Sequence, residues 1–159
     1  MPRLPDRFDL WVRKARTTPE PLRQIDYVLG ALVALPEWHF LNSGTKESPQ
    51  PAETDLENEH GLFLLLFTDS GRIAEIFGDP VPSPLPVISM PTPAAMAWVL
   101  EQPVAGLLVN AGEDAVLVPH AQLAAFHLEW LTRGGRQASG FWIPNLTSEE
   151  EDFWQEHGL

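Results

Sequence analysis

The run Leu62-Phe63-Leu64-Leu65-Leu66-Phe67, set between Gly61 and Thr68-Asp69-Ser70, decides the fold. It is continuous rather than alternating and short for a helix, so it reads as a strand buried in the middle of a sheet. Working outward along the chain, Thr68-Asp69-Ser70 supplies capping side chains for a short helix through Ile73, Ile76 and Phe77, which Gly78-Asp79-Pro80 stops. Prolines then alternate at 80, 82, 84 and 86. Proline has no amide hydrogen to donate, so this piece is an extended surface strap or a sheet edge. Val87-Ile88-Ser89-Met90 reads as the next strand, and Thr92-Pro93 opens a helix, as an N-cap followed by proline, that sends Met96, Val99 and Leu100 to the core and ends before Pro103. Gly106–Val109 and Ala115–Val118 are two apolar strands whose spacer, Asn110 to Asp114, tolerates positive φ and favours a hairpin. A helix follows from about Pro119, with Leu123, Phe126, His127, Trp130 and Leu131 on one side and Gly134-Gly135 at its end.

Upstream of the run, Thr18-Pro19-Glu20-Pro21 starts a helix in which Leu22, Ile25, Leu29 and Leu32, flanked by Val28 and Leu35, form one apolar face as far as Pro36. Trp38–Leu41 is a strand. From Asn42 to His60 the chain is polar and aperiodic, which is long for a loop, and it reads as a mobile insertion, with a functional flap as the alternative. The expected architecture is α+β: a single domain with a mixed sheet of about five strands and helices packed against it. Its parts are a basic arm (1–20), a central domain (21–133) and an aromatic, acidic tail (134–159).

Composition narrows the function. The 159 residues carry 22 acids against ten bases, a formal charge of −12. That disfavours nucleic acid and anionic membranes as partners, since both are polyanions. There is no cysteine, which removes disulfides, thiolate chemistry and Cys-type metal sites together. No apolar run approaches a membrane span and no signal segment opens the chain, so a cytoplasmic protein is expected. Charge is also uneven: residues 1–23 hold six bases and three acids. They read either as an arm for an acidic partner or second copy, or as a surface helix with Phe8, Trp11 and Val12 laid on the body.

Motifs for chemistry are scarce. Ser43-Gly44-Thr45-Lys46 lacks the phosphate-cradling frame, and Ala138-Ser139-Gly140 lacks the glycine of a serine elbow. His120 and His127 share a helix face but stand about 10 Å apart along it, too far for one ion. His39 follows Trp38 on a strand and points the other way, and acid pairs such as Glu57 with Glu59 or Glu149 with Asp152 lie where ordinary ionisation is expected. No catalytic residue, cofactor or metal ligand is therefore expected. Thr147 three residues before Glu150 is a capping box for a short terminal helix. Of the six tryptophans, Trp98 and Trp130 fit core positions. Trp142, Phe153 and Trp154 sit in the acidic tail, either as partner-binding anchors or folded back on the body.

Leu-Pro-Glu-Trp at 35–38, Phe67-Thr68-Asp69, Met-Pro-Thr-Pro at 90–93 and Gly-Leu-Leu-Val-Asn at 106–110 together resemble the N-terminal domain of the bacterial SseB family, named for enhanced serine sensitivity. The resemblance spans roughly residues 22–132. It implies an α+β domain with a mixed sheet and brings no established catalytic residue to carry over. Past it, the tail departs from the family pattern. The expectation is a non-enzymatic protein-binding or regulatory module that captures a protein partner or itself. An acidic inhibitor or immunity-like protein, and a small-ligand domain or enzyme with a pocket under the 42–60 loop, stand as alternatives.

Overall fold

The computed structural model describes residues 7–56, 61–112, 115–132, 142–145 and 147–156, with the side chains of Arg7, Leu22, Phe153, Trp154 and Gln155 outside that description. The elements are α1 (Arg7–Thr17), α2 (Pro21–Val33), β1 (Glu37–Leu41), β2 (Glu53–Asp55), β3 (Leu62–Phe67) and α3 (Ser70–Phe77). They continue as β4 (Val87–Pro91), α4 (Thr92–Glu101), β5 (Gly106–Val109), β6 (Val116–Pro119), α5 (His120–Thr132) and α6 (Ser148–Glu156). The fold is α+β with a mixed sheet. Chain contacts gather into two compact units: Glu37–Ala121, which holds the sheet, and Met1–Pro36 with Gln122–Leu159, which is helical. Within the helical unit α1 packs on α2; residue 133, where the central domain was expected to end, lies outside the described residues.

In the sheet unit the strand order is β4-β1-β3-β5-β6, with β2 also on β3. The β3–β5 pair is parallel, and the β1–β3, β1–β4, β2–β3 and β5–β6 pairs are antiparallel. Phe63, Leu64, Leu66 and Phe67 are all buried, residues of both parities, as a central strand covered on both faces requires. Each such side chain contributes about 1.5–3 kcal/mol by leaving water. Ile73 of α3 and Ala95, Met96 and Val99 of α4 are fully buried, and so are Trp38, Phe40, Leu107 and Val118 from the sheet. Trp98 is half-buried, edge-on to Phe40 at 5.2 Å. Gly106 is required by close approach: a Cβ there would come within 2.2 Å of the Val118 carbonyl oxygen. Asn110 (φ 54°) and Gly112 (φ 119°) make the β5–β6 turn, as their tolerance of positive φ predicts. Glu113 and Asp114 lie outside the described residues.

Two local expectations change. Residues 42–60 are not wholly loop. Leu66 pairs with Phe40 of β1 and Leu64 with Glu53 of β2, so β1 and β2 follow one track along β3 with residues 42–52 extruded between them. A strand of three residues in a polar setting leaves no hydrophobic alternation to read. Thr92 opens α4 as its first helical residue, buried, after Pro91; no side chain caps that end.

In the helical unit, Phe8, Trp11, Val12 and Ala15 form the buried face of α1, and Trp11 meets Tyr27 of α2 at 5.9 Å between ring centroids. Phe8, Trp11 and Val12 thus lie buried, as the surface-helix alternative expected of them. Val28, Leu29, Leu32, Leu123, Phe126, Trp130 and Ile143 are also buried.

Candidate partner-binding surface

One corner of the sheet unit joins the extruded loop to the proline strap. Asn42 closes the neck of the loop: its Oδ1 accepts from the amides of Gly44 (2.9 Å) and Gln50 (3.0 Å). Across the same neck, the Ser43 amide donates to the Gln50 carbonyl at 2.8 Å. The Asn42 amide donates to the Pro86 carbonyl at 3.0 Å, which ties the loop to the end of the strap where β4 begins. An asparagine side chain that replaces ladder partners is the local device that lets a strand be interrupted and resumed.

The other end of the strap grows out of α3. Asp69 caps that helix by accepting from the Arg72 amide at 3.2 Å, and Arg72 in turn sits 3.6 Å from the Asp69 carboxylate. Of the three residues expected inward only Ile73 is buried, and Ile76 and Phe77 are 50% and 40% exposed. Val81 is 46% exposed, flanked by exposed Pro80, Pro82 and Pro84. The result is an exposed, largely apolar stretch over residues 76–84, with the exposed carboxylate of Glu75 at its edge and that of Asp79 within it. Residues 37–121 hold only two bases, Lys46 and Arg72, against twelve acids, so they carry −10 of the chain's −12. Scattered exposed hydrophobics are ordinary, but a cluster rimmed by charge is the mark of a contact surface. The alternating prolines were the sequence signal: a strap without amide donors cannot be drawn into the sheet, so the residues between them stay outside.

The tail candidates lie in the helical unit. Trp142 is half-buried with its ring edge-on to Phe126 at 5.4 Å, so it is engaged internally. Phe153 and Trp154 fall within α6, but their side chains lie outside the described residues. What secures α6 is a clamp that charge counting did not reveal. Arg23 of α2 donates from Nε and Nη2 to the two oxygens of Glu150, from Nη1 to the Pro144 carbonyl (2.6 Å), and from Nη2 to the Asn145 carbonyl (3.1 Å). Its guanidinium also lies 5.7 Å from the Tyr27 ring centroid. The predicted capping box is present and shares the same carboxylate: Thr147 donates its amide to Glu150 at 2.9 Å, and Glu150 donates its amide to the Thr147 hydroxyl at 3.2 Å.

Burial pushes the Glu150 carboxyl up, but the hydrogen bonds from Arg23, Tyr27 and Thr147 outweigh it and hold it at about 2. Burial and the neighbouring Glu150 push the Tyr27 phenol up to about 12. Burial raises Asp26 against the pull of Arg23, whose own guanidinium is raised because its two acids outweigh its desolvation. Arg23 therefore belongs to an internal ion cluster and not to a solvated basic face.

His39 Nδ1 lies 2.7 Å from the Ser89 hydroxyl, and His120 Nε2 lies 3.2 Å from the Leu100 carbonyl. His127 stacks on Trp130 at 6.2 Å, and burial lowers its pKa. Among the described residues no group of three His, Cys, Asp or Glu side chains could hold a metal ion. None of their helices is long and apolar enough to cross a membrane. The buried polar pair of the sheet unit, Asn110 with Thr68, is satisfied within itself: Asn110 Oδ1 accepts from the Thr68 amide (3.0 Å) and Nδ2 donates to the Thr68 hydroxyl (3.2 Å). No protein-family model, curated protein or solved structure matches the chain.

Proposed function

We propose that the chain is a cytoplasmic, non-enzymatic module of the SseB-like kind, which binds a basic protein partner through the acidic sheet unit. The observation that carries this reading is the coincidence on residues 37–121 of a −10 formal charge with the exposed Ile76, Phe77 and Val81 beside Glu75 and Asp79. Apolar contacts supply affinity, while surrounding charge of one sign speeds encounter and rejects acidic competitors. The size of the charge also favours the inhibitor or immunity-like reading, in which the surface occupies the polyanion site of a basic toxin or nuclease.

The test is capture by the full chain at about 0.05 M and about 0.5 M salt, where the screening length shortens severalfold. It is run in parallel with a variant carrying Ile76→Ser, Phe77→Ser and Val81→Ser. A basic partner retained at low salt, and lost both at high salt and from the variant, is the expected result. Capture that is indifferent to salt and to the three substitutions rejects the proposal.

A further inference from the structure

Strand β4 ends the sheet, so one side of its backbone has no strand beside it. The register shows which groups lie on that side. Leu41 faces Val87, and the next residue, Asn42, donates its amide to the Pro86 carbonyl at 3.0 Å. On the opposite side of β1, the Leu41 carbonyl accepts from the Ala52 amide at 2.8 Å. In an antiparallel ladder such bonds fall on alternate residues of a strand. Pro86, Ile88 and Met90 therefore face their backbone groups to β1, while Val87 and Ser89 each turn an amide and a carbonyl outward. Among the described residues no turn, loop or cap hydrogen bond reaches these four groups. Ser89 is exposed, and its hydroxyl is engaged on the face of the sheet by His39 Nδ1 at 2.7 Å.

We infer that at this edge the basic partner adds an extended segment to the sheet as a further antiparallel strand, an inference that rests on the function proposed above and deepens it. Hydrogen bonding selects the shape of the occupant. A helix spends its amides and carbonyls internally, whereas an extended chain offers a donor and an acceptor at every second residue, as Val87 and Ser89 do. Pro86 and Pro91 bound the edge, which leaves outward donors at those two residues and none to template an open-ended stack of sheets. Charge selects between a second copy and a foreign chain. β4 belongs to the unit that carries −10, so pairing two β4 edges would bring two such units together, and a basic segment meets no such repulsion. Parity along the strands sets the pattern of the segment. Val87 and Ser89 share the sheet face of His39 and the exposed Glu37. Half-buried Ile88 and Met90 share the face of Trp38 and Phe40, where Trp98 of α4 meets Phe40. The segment therefore alternates: bases stand opposite Val87 and Ser89, and apolar residues lie beside Ile88 and Met90.

An octapeptide of alternating lysine and valine is the probe, titrated into the full chain and followed by the amide signals in NMR. The expected result is saturable binding at about 0.05 M salt that slows amide exchange at Val87 and Ser89 and is lost at about 0.5 M. Ser89→Pro removes one outward donor and leaves the ladder to β1 intact. It is expected to weaken binding by about tenfold, the worth of one hydrogen bond, while circular dichroism stays native. Val87→Pro removes the other donor and serves the same purpose should Ser89→Pro disturb folding. Methylating the lysine amides of the peptide, which face the edge, is expected to weaken binding as much, and methylating its valine amides is not. Binding that is indifferent to Ser89→Pro and to lysine methylation overturns the edge as the site while leaving the basic-partner reading in place. Absence of saturable binding also overturns the inference, and salt-dependent capture then decides that reading by itself.

Discussion

The two units solve the same problem with different forces. The sheet unit holds itself with Trp38, Phe40, Leu64, Leu66, Phe67, Met96 and Leu107 in an apolar interior. The helical unit joins α2 to α6 with an ion cluster, in which one guanidinium satisfies a glutamate and two carbonyls. The first mechanism is indifferent to pH and intolerant of shape change. The second tolerates shape but depends on every member being charged, because a partly buried ion left alone is costly.

The largest expected effect tests the shape dependence of the sheet unit. Gly106→Ala forces a methyl against the Val118 carbonyl and is expected to cost about 3 kcal/mol or more, read from urea unfolding. A cost under about 1 kcal/mol would show that β5 and β6 can part without penalty. Next comes the clamp. Arg23→Ala leaves Glu150 partly buried and unpaired and is expected to cost about 2–3 kcal/mol, with Arg23→Lys recovering less than half because the two-pronged geometry is lost.

The same clamp gives the pH dependence. The folded Glu150 pKa of about 2 lies below its ordinary 4.5, so its contribution is complete above about pH 4.5 and is lost as pH falls towards about 2. Glu150→Gln should flatten that part of the stability curve, and a curve unchanged by the substitution would remove the clamp from the account. Asn42→Ala is a smaller change, expected to cost about 1 kcal/mol by opening the loop neck, with faster amide exchange at Gly44 and Gln50 as its signature. Least of all, Ile76→Ser and Phe77→Ser should stay within about 0.5 kcal/mol of wild-type stability while weakening partner capture.

Local signals were the legible ones. The buried run 62–67, the Asp69 cap, the turn at Asn110 and Gly112, and the reciprocal bonds of Thr147 and Glu150 all depend on residues a few positions apart. Misreadings occurred where one short pattern permits two outcomes. Ile76 and Phe77 continue the spacing of Ile73 but are exposed, because spacing alone does not say which neighbours a two-turn helix meets. Leu131 was grouped with Leu123 and Trp130 but is exposed, since a helix with leucines and alanines on more than one side gives periodicity little to choose between. The proposed contact surface was hidden for the same reason: the tail aromatics stood out by composition, whereas the exposed patch is made of ordinary core residues.

The sequence by itself determined the kinds of element, most of their limits, the caps and turns, and the acidity. Backbone preference and hydrophobic period act within a few residues, and charge needs only counting. Tertiary structure alone decided the strand order, the return of β2 to the track of β1, the outward face of α5, and the meeting of Arg23 with Glu150 across 127 positions of chain. Those depend on which surfaces find each other once the chain is compact, and no short stretch of residues carries that choice.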